Sequence, residues 1–226
     1  MNMNKQIPIG VSARHVHLSV EHIELLFGPN YSLTHDFDLS QPGQYAAVDR
    51  VTVKTSKAEI CDVRILGPAR AASQVEISKT DSFLLGIQPP IRLSGDIKGS
   101  AAATLVGPYG EVELQEGIII AKNHIHMHPD DARNFDVQDR DVVDILVASE
   151  RPITFHDVII RVDEQFSLDM HVDTDEGNAA VRVIRMWNPA YRVNNGQYVS
   201  LDEYLKEFER RAKKQSEECE DSEKNS

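Results

Sequence analysis

Apolar and polar residues alternate along most of this chain in short runs. IPIGVS (7–12), VTVKT (51–55), CDVRIL (61–66), QVEIS (74–78), EVEL (111–114), GIIIA (117–121), DVVDILV (141–147), PITFHDVIIRV (152–162) and AVRVIRMW (180–187) are rich in Val and Ile and bounded by Gly, Pro, Asn or Asp. A period of two with β-branched residues predicts strands, and many short strands predict a β-barrel or a sandwich. Helical stretches are brief: Val20 to Phe27 behind Ser19, Asp81 to Leu85, and Asp130 to Asn134 behind Pro129. GPYG at 107–110 has the composition of a hairpin turn, and there is no glycine-rich phosphate loop. The pattern shifts near Tyr198. Leu201, Tyr204, Leu205 and Phe208 keep helical spacing, whereas QSEECEDSEKNS after Lys214 has nothing to bury and predicts a disordered acidic end.

An internal repeat organises these elements. Ile7 to Phe27 reads IPIGVSARHVHLSVEHIELLF, and Ile118 to Val137 reads IIIAKNHIHMHPDDARNFDV: each is an apolar strand, then His-x-His, then a helix start. His15 and His17 match His124 and His126 at a constant offset of 109 positions (124 minus 15, 126 minus 17). Such a duplication predicts two related β domains whose equivalent edges face one cleft.

Charge and cysteine content narrow the chemistry. Lys+Arg 24 against Asp+Glu 36 gives a net charge of -12, which argues against a general nucleic-acid or anionic-membrane surface and leaves room for a local basic pocket. No run approaches the ~18 apolar residues of a spanning helix, and MNMNKQIPIG lacks the regions of a secretory signal, so a cytoplasmic chain is expected. Cys61 and Cys219 are too few for a disulfide framework or a four-thiolate site, so a metal here must use histidine and carboxylate.

In an extended strand residues i and i+2 share a face. His15/His17 and His124/His126 therefore each present two imidazoles that a transition metal can chelate; the alternative for either pair alone is exposed histidines near a strand end. Glu76 in QVEIS has Val75 and Ile77 on the opposite face, and His171 in DMHVDTDEGNAA lies between Met170 and Val172. Both are further ligand candidates, with a solvent-facing carboxylate and a surface histidine as the alternatives. Arg70, in the turn of ILGPARAASQVEIS just before the Glu76 strand, suits bidentate phosphate recognition, or else a surface ion pair. His22, His35, His128 and His156 lack paired spacing and are expected at the surface, His128 being close to His126 on the same strand face.

GVSARHVHLS, SQPGQYAA, VRILGPARAASQVEISKTD, RLSGDIKGS, GIIIAKNHIHM and MHVDTDEGNAA, in this order, resemble the PduL-type phosphate propanoyltransferases, the phosphotransacylases associated with bacterial microcompartments. The resemblance covers about residues 7–181. It implies a mainly β fold of two related β-barrel domains with short capping helices and the active site between them. One barrel would comprise 14–121, the other 3–13 with 122–195, and 196–226 would form a C-terminal helix and acidic tail. It also implies two zinc ions per active site. His15 and His17 would serve one metal, whose coordination includes the coenzyme A sulfur; Glu76, His124, His126 and His171 would serve the other, with Arg70 as the phosphate-handling catalytic arginine. The implied substrates are acyl-CoA (propanoyl or acetyl), phosphate and acyl phosphate, with CoA itself a substrate.

A metal-lowered thiol pKa makes a thiolate that attacks an acyl phosphate with no protein nucleophile. Two departures from the family pattern stand out. Gly99-Ser100-Ala101-Ala102 replaces a common Pro-Gly, and only six residues precede Ile7 where microcompartment members often carry a shell-docking helix. A free cytoplasmic enzyme without nucleic-acid or membrane partners is therefore expected, and a homo-oligomer is compatible with the sequence. Two other readings stay open: a non-catalytic module stabilised by closed zinc sites, and a metallohydrolase, for which no HExxH signature is present.

Overall fold

A computed structural model describes residues 6–147, 149 and 151–180. The helix expected at 201–208, the acidic end and nearly all of the AVRVIRMW run lie outside the described residues. Among the described residues the fold is mainly β, with a closed six-stranded barrel, a second sheet and four short helices. In chain order the elements are β1 (Ile9–Ser12), β2 (His15–His17), α1 (Val20–Phe27), β3 (His35–Asp38), β4 (Tyr45–Lys54), β5 (Glu59–Gly67), β6 (Gln74–Glu76), α2 (Lys79–Leu85), β7 (Ile91–Arg92), β8 (Ala101–Val106) and β9 (Glu111–Ala121). There follow β10 (His124–Met127), α3 (Pro129–Phe135), β11 (Val142–Val147), β12 (Ile153–Val162), β13 (Asp169–Asp173) and α4 (Thr174–Ala180). Among the described residues no helix is long and apolar enough to cross a membrane.

The barrel closes through β4-β5-β2-β6-β9-β8, with β8 returning to β4; β3 extends it on β4 and β7 on β9. The second sheet has the order β1-β13-β10-β12-β11. Each sheet contains the same local unit. β2 lies between parallel β5 and antiparallel β6, and β10 lies between parallel β12 and antiparallel β13. The next strand out is exchanged between the halves: β9, which leads into β10, pairs with β6, and β1, which leads into β2, pairs with β13. The chain thus crosses from one sheet to the other just before each His-x-His, and both histidine strands end up beside the crossover.

Burial explains why these short strands hold. Val16 and Ile125, the middle residues of β2 and β10, are fully enclosed in separate apolar cores, and each such side chain contributes roughly 1.5–3 kcal/mol of transfer free energy. Local caps fix the helices. Ser19 accepts the His22 N–H at 3.2 Å to start α1, and α2 begins two residues ahead of the expected Asp81 because Ser78 and Asp81 form a reciprocal capping box.

Some elements differ from expectation. EVEL and GIIIA form one continuous strand, β9, which turns at Gly117 (φ 141°), where a Cβ would stand 3.1 Å from the Ser73 carbonyl oxygen. AAATLV forms β8 although its alanines are weak strand formers, since β4 and β9 pair with it on both sides. GPYG, by contrast, is the expected hairpin turn, with the Gly107 N–H donating to the Gly110 carbonyl at 2.9 Å. The helix α4, TDEGNAA, buries only the small residues Gly177 and Ala180 and is started by the Asp173–Glu176 cap.

Candidate active site

The two His-x-His strands present their imidazoles alike. His15 and His17 share a face of β2, and His124 and His126 share a face of β10; all four are buried. Antiparallel register then sets Glu76 opposite His15 and His171 opposite His124. Two clusters result, His15/His17/Glu76 and His124/His126/His171, each with its candidate ligand atoms within 4.8 Å of one another. Glu76 Oε2 lies 3.6 Å from His15 Nε2. Proximity therefore groups Glu76 with His15 and His17, where the family resemblance allots it to the other metal, although its charge also acts on His124 and His126.

Backbone carbonyls choose the tautomers. Nδ1–H of His15 donates to the Ala13 carbonyl and Nδ1–H of His124 to the Lys122 carbonyl, each at 2.8 Å and each two residues back. His17 Nδ1–H donates to the Leu66 carbonyl at 3.2 Å. A carbonyl oxygen only accepts, so in all three rings Nε2 keeps its lone pair. Both ring nitrogens of His126 and Nε2 of His171 are buried with no hydrogen-bond partner among the described residues, the Asp169 carboxylate standing 3.3 Å from His171 Nε2 without hydrogen-bond geometry. Buried nitrogens left unpaired in this way are costly unless something fills them, and donor sets of two imidazoles plus a carboxylate and of three imidazoles fit a zinc-like cation.

The electrostatics keep these groups in ligand form. Burial, then the neighbouring His171, lowers the His124 pKa to about 4; burial with His124 and His171 lowers His126 to about 2. Burial, then His15 and Arg70, holds His17 well below its usual range. All three are neutral at pH 7. Burial alone would raise Glu76, but attraction to His15 and then His17 in their protonated forms outweighs it and holds the carboxyl well below the usual carboxylate range.

Arg70 is half-buried; its pKa is lowered by desolvation, against the pull of Glu76 and with the push of Arg161. Its backbone N–H donates to Leu18 at 2.8 Å, which pins the loop beside the end of β2, and Nη1 donates to Ser94 Oγ at 3.1 Å. Ser94 also accepts from Gln74 Nε2 at 3.0 Å, and that nitrogen donates to Glu76 Oε1 at 2.6 Å. Arg161 of β12 stands in register with His126; its guanidinium lies 5.5 Å from the centre of the Phe166 ring, which stacks on His126 at 4.2 Å. Ser12, Glu76, Lys122, His124, His171 and Asp173 line a small cleft between the sheets.

The structure thus gathers the six candidate ligands, with Arg70 close enough to bias the ionisation of His17 and to feel the charge of Glu76. The other histidines stand apart from the clusters. His35 and His156 are exposed and pair with Asp38 and Asp144, and His128 caps α3 through the Asp130 N–H. His22 is half-buried rather than at the surface, because Nδ1 meets Ser73 Oγ at 2.7 Å on the Arg70 loop. Sequence reasoning missed Arg161, Gln74, Ser94 and Phe166. Gln74 was within reach of it, two positions before Glu76 on the same strand face; Arg161 acquires its place only through the β10–β12 pairing.

Fold and site together define a class: mainly β proteins with two adjacent imidazole-rich donor clusters flanked by half-buried arginines. A family model described as phosphate propanoyltransferase matches residues 8–183, and the chain belongs to that family, which is one of acyltransferases. It is 53% identical over 176 residues to a phosphate propanoyltransferase of Thermotoga maritima, covering 77% of this chain and 84% of the relative. Relatives of the same name in Lachnoclostridium phytofermentans (55% over 175 residues, 77% and 82% covered) and Salmonella typhimurium (47% over 177 residues, 78% and 84% covered) are similar along the same span.

Proposed function

We propose that this chain interconverts a short-chain acyl-CoA, propanoyl-CoA or acetyl-CoA, and phosphate with the acyl phosphate and CoA at a two-zinc site. Besides the relatives, one observation carries this reading: each donor cluster offers three protein ligands, one fewer than a closed structural zinc site, and the half-buried Arg70 stands beside them. His15, His17 and Glu76 would hold one ion and His124, His126 and His171 the other. Bound zinc supplies Lewis-acid chemistry, lowering a thiol pKa so that CoA is a thiolate at neutral pH.

The protein's own groups do the rest. The neutral imidazoles offer lone pairs without first losing a proton, and Gln74 orients the Glu76 carboxylate. As the CoA sulfur bonds to the acyl carbon and the bond from that carbon to the phosphate oxygen breaks, Arg70 neutralises the departing phosphate from a position set by Ser94 and Leu18. No protein nucleophile takes part; Cys61 is exposed on β5. The division into a 14–121 barrel and a second domain of 3–13 with 122–195, the site lying between, belongs to the same proposal.

The test is a coupled assay with acetyl phosphate or propanoyl phosphate plus CoA, following thioester absorbance before and after chelation and again with zinc restored. Thioester formation that chelation abolishes and zinc returns is the expected outcome. Full activity in metal-free protein would overturn the zinc site, and no thioester from either acyl phosphate would overturn the reaction.

A further inference from the structure

The internal repeat extends past the histidine pairs. Glu76 and His171 are 95 positions apart (171 minus 76), and the same offset relates Ser78 to Asp173, Thr80 to Asp175 and Asp81 to Glu176. In each half the first turn of the following helix closes a reciprocal cap. Asp81 N–H donates to Ser78 Oγ and Ser78 N–H to Asp81 Oδ2, both at 3.2 Å; Glu176 N–H donates to Asp173 Oδ1 at 2.8 Å and Asp173 N–H to Glu176 Oε2 at 3.0 Å.

Each capping carboxylate has a further partner, and in both halves that partner is the residue immediately before the His-x-His. Arg14 Nε and Nη2 meet Asp81 at 3.0 and 2.8 Å, and Asn123 Nδ2 donates to Glu176 Oε1 at 2.9 Å. The two turns also touch each other, the Thr80 N–H donating to Asp175 Oδ2 at 2.8 Å. Because Thr80 and Asp175 are themselves equivalent positions, this contact falls where the two halves meet.

We propose that the chain of contacts Arg14–Asp81, Thr80–Asp175 and Glu176–Asn123 is a brace that positions the two donor clusters. In each half it ties the histidine strand to the turn that follows the third ligand, Glu76 or His171, and at its midpoint it ties one half to the other. These are positioning residues: none of them belongs to either cluster. A bidentate guanidinium on a buried carboxylate is directional, and a site of three donors from two strands loses affinity when those strands slip by a fraction of an ångström.

The proposal rests on the two-zinc reading, and the test separates the two. Zinc alone is titrated into the full chain against a chromophoric chelator, with a thermal melt of each variant. Wild type is expected to take up two equivalents. Arg14→Met is expected to weaken one of them about ten- to a hundredfold, as loss of outer partners of metal ligands typically does, and Asn123→Ala to weaken the other. Arg14→Lys, which keeps one contact, should recover part of the loss. Where Arg14→Met does not fold, Asp81→Asn removes the charge and keeps an acceptor for the Ser78 N–H, and should weaken the same equivalent. Wild type that binds two zinc ions while Arg14 and Asn123 variants leave both affinities unchanged, or weaken both alike, overturns the brace alone. Wild type that takes up no zinc overturns the two-zinc reading and the brace with it.

Discussion

The barrel half and the five-stranded half share a backbone plan and differ in charge. Both set a His-x-His strand between one parallel and one antiparallel neighbour, both anchor the first histidine on a carbonyl two residues back, and both follow the third donor with a capped turn. Yet the barrel cluster contains the Glu76 carboxylate and lies beside Arg70, whereas the other is three imidazoles backed by Phe166 and Arg161. The capping carboxylates diverge in the same way, Asp81 meeting a guanidinium and Glu176 an amide. Duplication has supplied the frame twice, and single side chains have made two equivalent positions chemically unlike.

The two arginines give that contrast its largest test. Arg70→Ala is expected to lower kcat about 10²–10³-fold, the usual loss for one positioned donor to a developing charge, with zinc content unchanged. Arg161→Ala should lower activity and also loosen zinc, because its side chain backs Phe166 against His126. Kinetics alongside metal analysis check this; equal zinc loss in both variants would erase the distinction between the halves.

A smaller effect comes from exchanging the core residues between the histidines. Val16 sits inside a closed barrel, and Val16→Ile adds a methylene with little room to relax, at about 1–3 kcal/mol. Ile125→Val, the reverse change in the other core, is expected to cost about 0.5–1.5 kcal/mol. Denaturant unfolding measures both, and a costlier Ile125→Val would show the second core to be the tighter one.

What the linear pattern revealed was whatever is written in short periods. Alternation marked most strands, the doubled His-x-His marked the repeat, and Ser19 and Pro129 marked helix starts because capping is local. Out of its reach was whatever depends on which strands pair. Arg161 looks like any strand-end arginine until β12 lies beside β10, and Glu176 looks solvated until Asn123 reaches it. The second offset, relating EISKTD to HVDTDE, is weak in the sequence: the aligned pairs share polarity and no identity. Helix α4 escaped for a related reason, since the residues it buries, Gly177 and Ala180, are too small to mark an apolar period.

Glu176 offers the finest discrimination between the halves. Burial, with Asp173 and Asp175 adding negative charge and only the Asp173 N–H and Asn123 amide opposing, lifts its pKa from 4.5 to about 7. Between those values the folded chain holds a proton that the unfolded chain has released, so stability falls as pH rises through the window. The penalty is absent below about 4.5 and complete above about 7. Glu176→Gln keeps a side chain able to cap the turn and carries no ionisation. Its Tm relative to wild type should therefore climb from pH 5 to pH 8, with the slopes of all other groups cancelling in the difference. A constant difference across that range would mean that Asn123 serves the carboxylate as well as Arg14 serves Asp81, and the two braces would then be alike in charge as well as in plan.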